Sequence, residues 1–123
     1  MGKFVIIDNG KGPHFNLLAT NGQVIGTSEV YSAMAACKNG IESVKKNAPI
    51  AETEDTTAEN VVEVKNPKFI IKAQKDGKVK FNLTAKNGEI ILSSQGYASM
   101  ASCLNGIESV KKNAPDAETV EEA

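Results

Sequence analysis

Arginine is absent from this chain of 123 residues, although 14 of them are basic. Every basic side chain is therefore a lysine. The planar fork of arginine is what gives bidentate recognition of phosphates and base edges, so its absence argues against a dedicated nucleic-acid reader. Aromatic residues make up only 5% of the chain, which leaves few rings on which a base could stack.

Histidine and cysteine are too scarce for the common catalytic and metal-binding arrangements. The chain has one histidine, His14, and two cysteines, Cys37 and Cys103. The sequence contains no C-x-x-C, H-E-x-x-H, Walker A or G-x-G-x-x-G motif. We therefore expect a non-enzymatic protein with no catalytic residues, no metal and no cofactor. The cysteines are expected to be reduced, half-buried thiols; a disulfide would require a two-fold arrangement that brings their helices together.

Long apolar runs are also missing from the sequence. No run approaches the ~18 residues that a membrane-spanning helix needs. The N-terminal run has only four apolar residues before Asp8, too few for a signal peptide. With 41% hydrophobic and 24% charged residues, the composition is typical of a globular domain. We expect a cytoplasmic protein that does not contact membranes.

The chain instead contains an internal repeat. The word NGIESVKKNAP occurs at 39–49 and again, letter for letter, at 105–115. The preceding stretches HFNLLATNGQVI and KFNLTAKNGEII align at the same offset of 66 residues. The sequence therefore predicts a first repeat at 1–58, an acidic linker at 59–67 and a second repeat at 68–123. His14 aligns with Lys80, so chemistry shared by both repeats cannot use a histidine.

Each repeat begins with a pattern that predicts three antiparallel strands. The first run is rich in β-formers, at 3–8 and 68–74, and the third is expected at 24–29 and 90–95. The second run alternates and places one apolar set on a single face: Phe15, Leu17 and Ala19, and in the second repeat Phe81, Leu83 and Ala85. Asn-Gly pairs at 21–22 and 87–88 predict two-residue hairpin turns with positive φ at both positions.

A helix is predicted to follow the strands in each repeat. Apolar residues recur three and four apart, at Met34, Cys37, Ile41, Val44 and Ala48, and at the matching positions from Met100 to Ala114. Ser32 and Ser99 are the expected N-caps, paired lysines occupy the last turns, and prolines follow.

Gly40 and Gly106 lie inside these predicted helices, at a cost of about 1 kcal/mol relative to alanine. They are expected to admit another backbone at close range. One sheet and one helix make a small core for about fifty residues, so we expect the repeats to pack as one pseudo-two-fold α+β domain, an internal pseudo-dimer within a monomer.

The words YASMASCLNGIESVKKNAPDA at 97–117 and FNLTAKNGEIILSSQGY at 81–97 resemble those of the YegP-like family. This is a group of small bacterial tandem-repeat proteins with a domain of unknown function. The resemblance implies β-β-β-α-β units that share one continuous sheet and exchange their C-terminal strands, near 51–58 and 117–121. It implies no activity and no functional residues.

The sheet face opposite the core supplies the candidate binding residues. In the first repeat it is largely apolar, and in the second it is lysine-rich. Our first hypothesis is a protein-binding or adaptor module that uses this open face. The alternative is binding of nucleic acid or another polyanion by the lysines. The candidate residues are Val5, Ile7, Asn16, Leu18, Lys72, Lys80, Asn82 and Lys86.

Other polar residues occur in both repeats and have structural explanations. Asn39, Glu42 and Ser43, with their counterparts 66 residues later, lie off the apolar stripe and are expected to form a solvated helix face. Tyr31 and Tyr97 are expected to pack at the helix entries.

Overall fold

A computed structural model describes residues 2–122. In this range each repeat has three strands, a helix and a short final strand, as predicted. The elements are β1 (Lys3–Asp8), β2 (Pro13–Leu18), β3 (Val24–Thr27), α1 (Met34–Asn47), β4 (Glu52–Asp55), β5 (Lys68–Ala73), β6 (Val79–Thr84), β7 (Ile90–Ser93), α2 (Met100–Asn113) and β8 (Glu118–Glu121). The third strands are shorter than the sequence predicted.

The strands form one sheet in the order β4-β5-β6-β7-β3-β2-β1-β8. The two halves meet where β3 and β7 pair antiparallel, at Thr27 and Ser93. The final strands are exchanged: β4 runs parallel to β5 of the second repeat, and β8 runs parallel to β1 of the first. The continuous sheet and the strand exchange that the family resemblance implied are both confirmed.

The hydrophobic core lies between one face of this sheet and the two helices. Four phenylalanines are fully buried in it, and they pair edge to face as Phe4–Phe15 and Phe69–Phe81. Helix α1 packs on β2 and also on β7, while α2 packs on β6 and β3. Each helix therefore covers both repeats, which explains how two small units make one core. The predicted apolar stripes and strand faces are confirmed as parts of this single cluster.

Two residues of different size, one in each repeat, pack against each other at the pseudo-two-fold axis. Gly26 of β3 and Leu92 of β7 occupy matching positions, and Leu92 is fully buried. A β-carbon on Gly26 would lie 2.6 Å from two carbons of the Leu92 side chain. Leu92 thus fills the space that the missing side chain leaves.

The close approach predicted at the helix glycines comes from a side chain, not from another backbone. A β-carbon on Gly40 would meet the Tyr31 hydroxyl and ring, and Gly106 has the same relation to Tyr97. Each tyrosine also stacks on a core phenylalanine, with 6.2 Å between the Phe15 and Tyr31 ring centroids. The prediction of a backbone neighbour was wrong, because the tyrosine ring that packs the helix entry fills that space.

Two local predictions also need correction. In the hairpins only the glycines have positive φ, +85° at Gly22 and +86° at Gly88, so the preceding asparagines are not left-handed. The turns are three-residue loops, in which the amide of Ala19 donates to the Gln23 carbonyl. Ser99 caps α2 as predicted, but Ala33 is the N-cap residue of α1 and makes no side-chain cap. Ser32 was therefore the wrong choice.

Candidate functional site

The first-repeat face is the uncovered apolar side of the sheet half formed by β2, β1 and β8. Strand alternation directs its side chains away from the helices, and register brings Val5 beside both Asn16 and Val120. Val24 and Val120 are 44% and 36% exposed. Together with Glu121 and Glu122 at one end, these residues line a shallow groove of about 460 Å³: Lys3, Val5, Ile7, Asn16, Leu18, Val24 and Val120. The structure thus brings together the four candidate residues of the first repeat.

The second-repeat face is the equivalent side of β6, β5 and β4, and it is polar and covered. Its central side chains Glu54, Asn82 and Thr84 are only 8%, 6% and 3% exposed. The linker bonds to it directly. The Val64 amide donates to Glu54 Oε1 at 3.0 Å, and Thr84 Oγ1 donates to Asn66 Oδ1 at 2.8 Å.

A lysine completes this attachment of the linker. Lys68 Nζ donates to Glu54 Oε1 at 2.9 Å and to the Val64 carbonyl at 3.2 Å. Both the N–H and the C=O of Val64 are therefore held by side chains of the sheet. The hydrogen bond from Lys68, the bond from Val64 and the nearby positive charge lower the pKa of the Glu54 carboxyl.

The candidate lysines of the second repeat do not form one patch. Lys72 and Lys80 lie directly opposite each other on β5 and β6. Lys86 lies apart, on the β6–β7 hairpin beside the polar face of α1. Asn82 is buried between these positions, and its Oδ1 has no hydrogen-bond partner among the residues that the structure describes. Lys72 and Lys86 are exposed and Lys80 is half-buried.

The two faces differ at matching positions of the same backbone. Glu54 pairs in register with Ile70 on β5, and Val120 pairs with Val5 on β1. Likewise Thr84 adjoins Lys68, as Leu18 adjoins Lys3. On the first-repeat face, Val120 and Leu18 thus take the places of Glu54 and Thr84, and Lys3 keeps the lysine of Lys68. Sequence reasoning did not select Glu54, Val120 or Val24. The signal available was the alignment of ETED with ETVE, which shows a valine replacing a glutamate.

The cysteines and tyrosines lie in surroundings that disfavour their ionised, reactive forms. Cys37 and Cys103 are free, as expected, but they are fully buried and not half-buried. Burial raises the pKa of both thiols, which disfavours the nucleophilic thiolate. Burial likewise raises the pKa of Tyr31 and Tyr97. Within residues 2–122, no three histidine, cysteine or acidic side chains are grouped to hold a metal ion. Neither helix in this range is long and apolar enough to cross a membrane.

The sequence model of a domain of unknown function, DUF1508, matches residues 8–55 and 74–121. The two matches fall one on each repeat. The chain belongs to the DUF1508 family. Among its relatives, the UPF0339 protein in the ptx operon 5′ region of Stutzerimonas stutzeri is 45% identical, over 98% of this chain and 96% of that protein. The UPF0339 protein YegP of Yersinia pestis is 39% identical, over 81% and 76% of the two chains.

Two solution NMR structures have the same fold. The protein of unknown function yegP from E. coli is 34% identical and superposes with a TM-score of 0.78, over 98% of this chain and 92% of that one. The UPF0339 protein from Shewanella oneidensis gives 34% identity and a TM-score of 0.80, over 98% and 90%. The resemblance to the YegP-like family is confirmed, and the names of these relatives state no activity.

Proposed function

We propose that the protein is a non-enzymatic protein-binding module and that the first-repeat face is its docking surface. The observation that carries this proposal is the contrast between the two faces. The second-repeat face is polar and already bonded to the linker, whereas the first-repeat face presents Val5, Leu18, Val24 and Val120 with no segment of residues 2–122 bonded across it in the same way.

The exposed apolar side chains of the first-repeat face favour a protein partner over nucleic acid or another polyanion. Removing such side chains from water contributes about 25 cal/mol per Å² of apolar area, so a few half-exposed valines and leucines can drive association. Contiguous apolar patches with a polar rim commonly mark protein-binding sites. Here the rim is Lys3 at one end and Glu121 and Glu122 at the other.

Polyanion binding by the lysines has less support. Lys86 is separated from Lys72 and Lys80, and the linker occupies part of the face between them. It remains a prediction with a clear signature, which is an affinity that falls steeply with salt.

The test is capture of partners by tagged full-length protein from a bacterial lysate, with and without nuclease. The variant V5T/I7T/L18T replaces apolar side chains of the face, and K72Q/K80Q is the matched control on the other half of the sheet. We expect captured proteins that stay bound after nuclease treatment. Their capture should be lost with V5T/I7T/L18T and kept with K72Q/K80Q. Capture that survives V5T/I7T/L18T, in a variant shown to be folded by circular dichroism, would contradict the proposal.

A further inference from the structure

We propose that the partner occupies the first-repeat face as an irregular, non-helical segment, with apolar side chains over Leu18 and Val120 and an acidic side chain that reaches Lys3. This inference rests on the proposed function and specifies its ligand. It comes from the way in which the chain covers the equivalent face of its own second repeat.

The linker shows which kind of segment the matching face of the second repeat accepts. Between residues 59 and 67 it forms neither helix nor strand. It is held through its main chain, because Glu54 accepts from the Val64 amide while Lys68 donates to the Val64 carbonyl. The first-repeat face lacks the glutamate but keeps Lys3 at the position of Lys68, and a lysine there can donate to a main-chain carbonyl. Such a contact suits an extended segment better than a folded surface, whose backbone groups are mostly bonded internally.

Lys3 is the part of this arrangement that is left without its partner. It occupies the register position of Lys68, but Val120 stands where Glu54 would be. Among the described residues Lys3 forms no ion pair within 4.0 Å, whereas Lys68 lies 2.9 Å from a carboxylate oxygen. A carboxylate from the occupant would supply the charge-assisted hydrogen bond that the first repeat lacks.

The acidic side chains of β8 limit where the acid of the occupant can lie. Glu118 pairs with Lys3 and Val120 pairs with Val5, so these two side chains share the open face, whereas Glu121 pairs with the core residue Ile6. Among the described residues Glu118 forms no ion pair with Lys3 within 4.0 Å, and Glu122 lines the far end of the groove. The acid of the occupant is therefore expected directly over the Lys3 ammonium and away from both glutamates.

The structure suggests a variant that converts one face into the other. In V120E/L18T the first-repeat face acquires the glutamate and threonine of the second-repeat face, so that Lys3 gains an internal carboxylate and two apolar contacts are lost. The probes are peptides selected from a random 12-residue display library against the full-length wild-type protein. We expect enriched peptides with several apolar residues and an Asp or Glu.

The affinities of the wild type and the variants for the selected peptides test this binding mode. We expect V120E/L18T, Lys3→Gln and replacement of the peptide's acid by its amide each to weaken binding about tenfold, a change of ~1.4 kcal/mol. The matched control Lys80→Gln should change it less than twofold. Lys3 is exposed, so Lys3→Gln keeps the test decisive even if V120E/L18T fails to fold.

Each other result would overturn the inference. One such result is that peptides lose binding to V120E/L18T but bind equally well to Lys3→Gln and after replacement of their own Asp or Glu by the amide. That result would contradict this binding mode and leave the proposed function intact. Peptides indifferent to both variants would contradict both proposals. Failure to enrich any peptide would count against an extended occupant. Self-association of the wild type that V120E/L18T abolishes would assign the face to a second copy of the chain.

Discussion

The two halves of the sheet have the same strand arrangement, but their outer faces carry different side chains. In the second half, Glu54 and Lys68 hold the Val64 backbone, and the linker covers the sheet. In the first half, Val120 and Lys3 stand at the same register and the groove is open. Val120 stands in place of the carboxylate and Leu18 in place of the threonine, so the two side chains that bond to the linker in the second half are apolar in the first. The second-repeat face is thus bonded within the chain, and the open first-repeat face is the one that we propose for a partner.

A second difference lies on the buried side, where the halves must fit each other. Leu92 projects into the space above Gly26. Two leucines at these positions would collide, and two glycines would leave a void, so the asymmetry fits one half to the other.

The largest effect is expected from breaking that fit. Leu92→Ala should lower the free energy of unfolding by about 2–5 kcal/mol, because it leaves a cavity at a fully buried site. Gly26→Leu should destabilise by roughly 1–3 kcal/mol or more through overpacking. The double variant G26L/L92G moves the leucine to the other strand and should recover part of the loss in urea unfolding. Recovery of nothing would mean that the two positions do not share one space.

The helix glycines should respond alike in both repeats. Alanine at Gly40 or Gly106 gains about 1 kcal/mol of helix propensity but pushes a methyl group into Tyr31 or Tyr97. Overpacking of roughly 1–3 kcal/mol should win, so both variants should unfold at lower urea than the wild type. A stabilised Gly40→Ala would show that the tyrosine ring moves aside at little cost.

The linker attachment should fail in acid. The pKa of Glu54 is lowered in the folded protein by the bond from Lys68, from an ordinary value of 4.5. Its contribution to stability is therefore complete above about pH 4.5 and is lost as the pH falls through the lowered pKa. The wild type should be more stable than Glu54→Gln at pH 7, and this advantage should vanish in strong acid. An advantage independent of pH would exclude the ion pair as its cause. Val120→Gln, which has no carboxylate to lose, is the matched control.

The smallest effect is expected at the helix N-termini. The Ser99 hydroxyl accepts from the Ser102 amide at 3.2 Å, whereas Ala33 offers no cap to α1. Ser99→Ala should cost about 1 kcal/mol, Ser32→Ala almost nothing, and Ala33→Ser should stabilise. Chemical denaturation of the three variants checks this order, and a costly Ser32→Ala would contradict the cap assignment.

Periodicity and the internal repeat were enough to predict the strands, the helices and the core faces, because alternation and three-to-four spacing report burial directly. The side-chain fit of Gly26 to Leu92 could not be predicted, since it depends on which strands meet at the pseudo-two-fold axis. The linker attachment was also invisible. It joins the backbone of Val64 to side chains on two strands, and backbone groups leave no pattern in the sequence. Both Asn-Gly turns were recognised, but loop length rather than the dipeptide decided the turn type.

The candidate site was predicted only in part. Val5, Ile7 and Leu18 were placed together by alternation along β1 and β2, whereas Val120 joins them only through the exchanged strand β8. Asn82 was a candidate binding residue of an open face, but the structure buries it, and the linker bonds to Glu54 and Thr84 on the same face.

The most direct test of the difference between the faces is methyl NMR with a soluble paramagnetic probe. We expect strong broadening of the Val120 and Leu18 methyl signals and little broadening of the Thr84 methyl, because Thr84 is only 3% exposed. Equal broadening of Thr84 and Leu18 would show that the linker leaves the second-repeat face open. The contrast on which the proposed docking surface depends would then be contradicted.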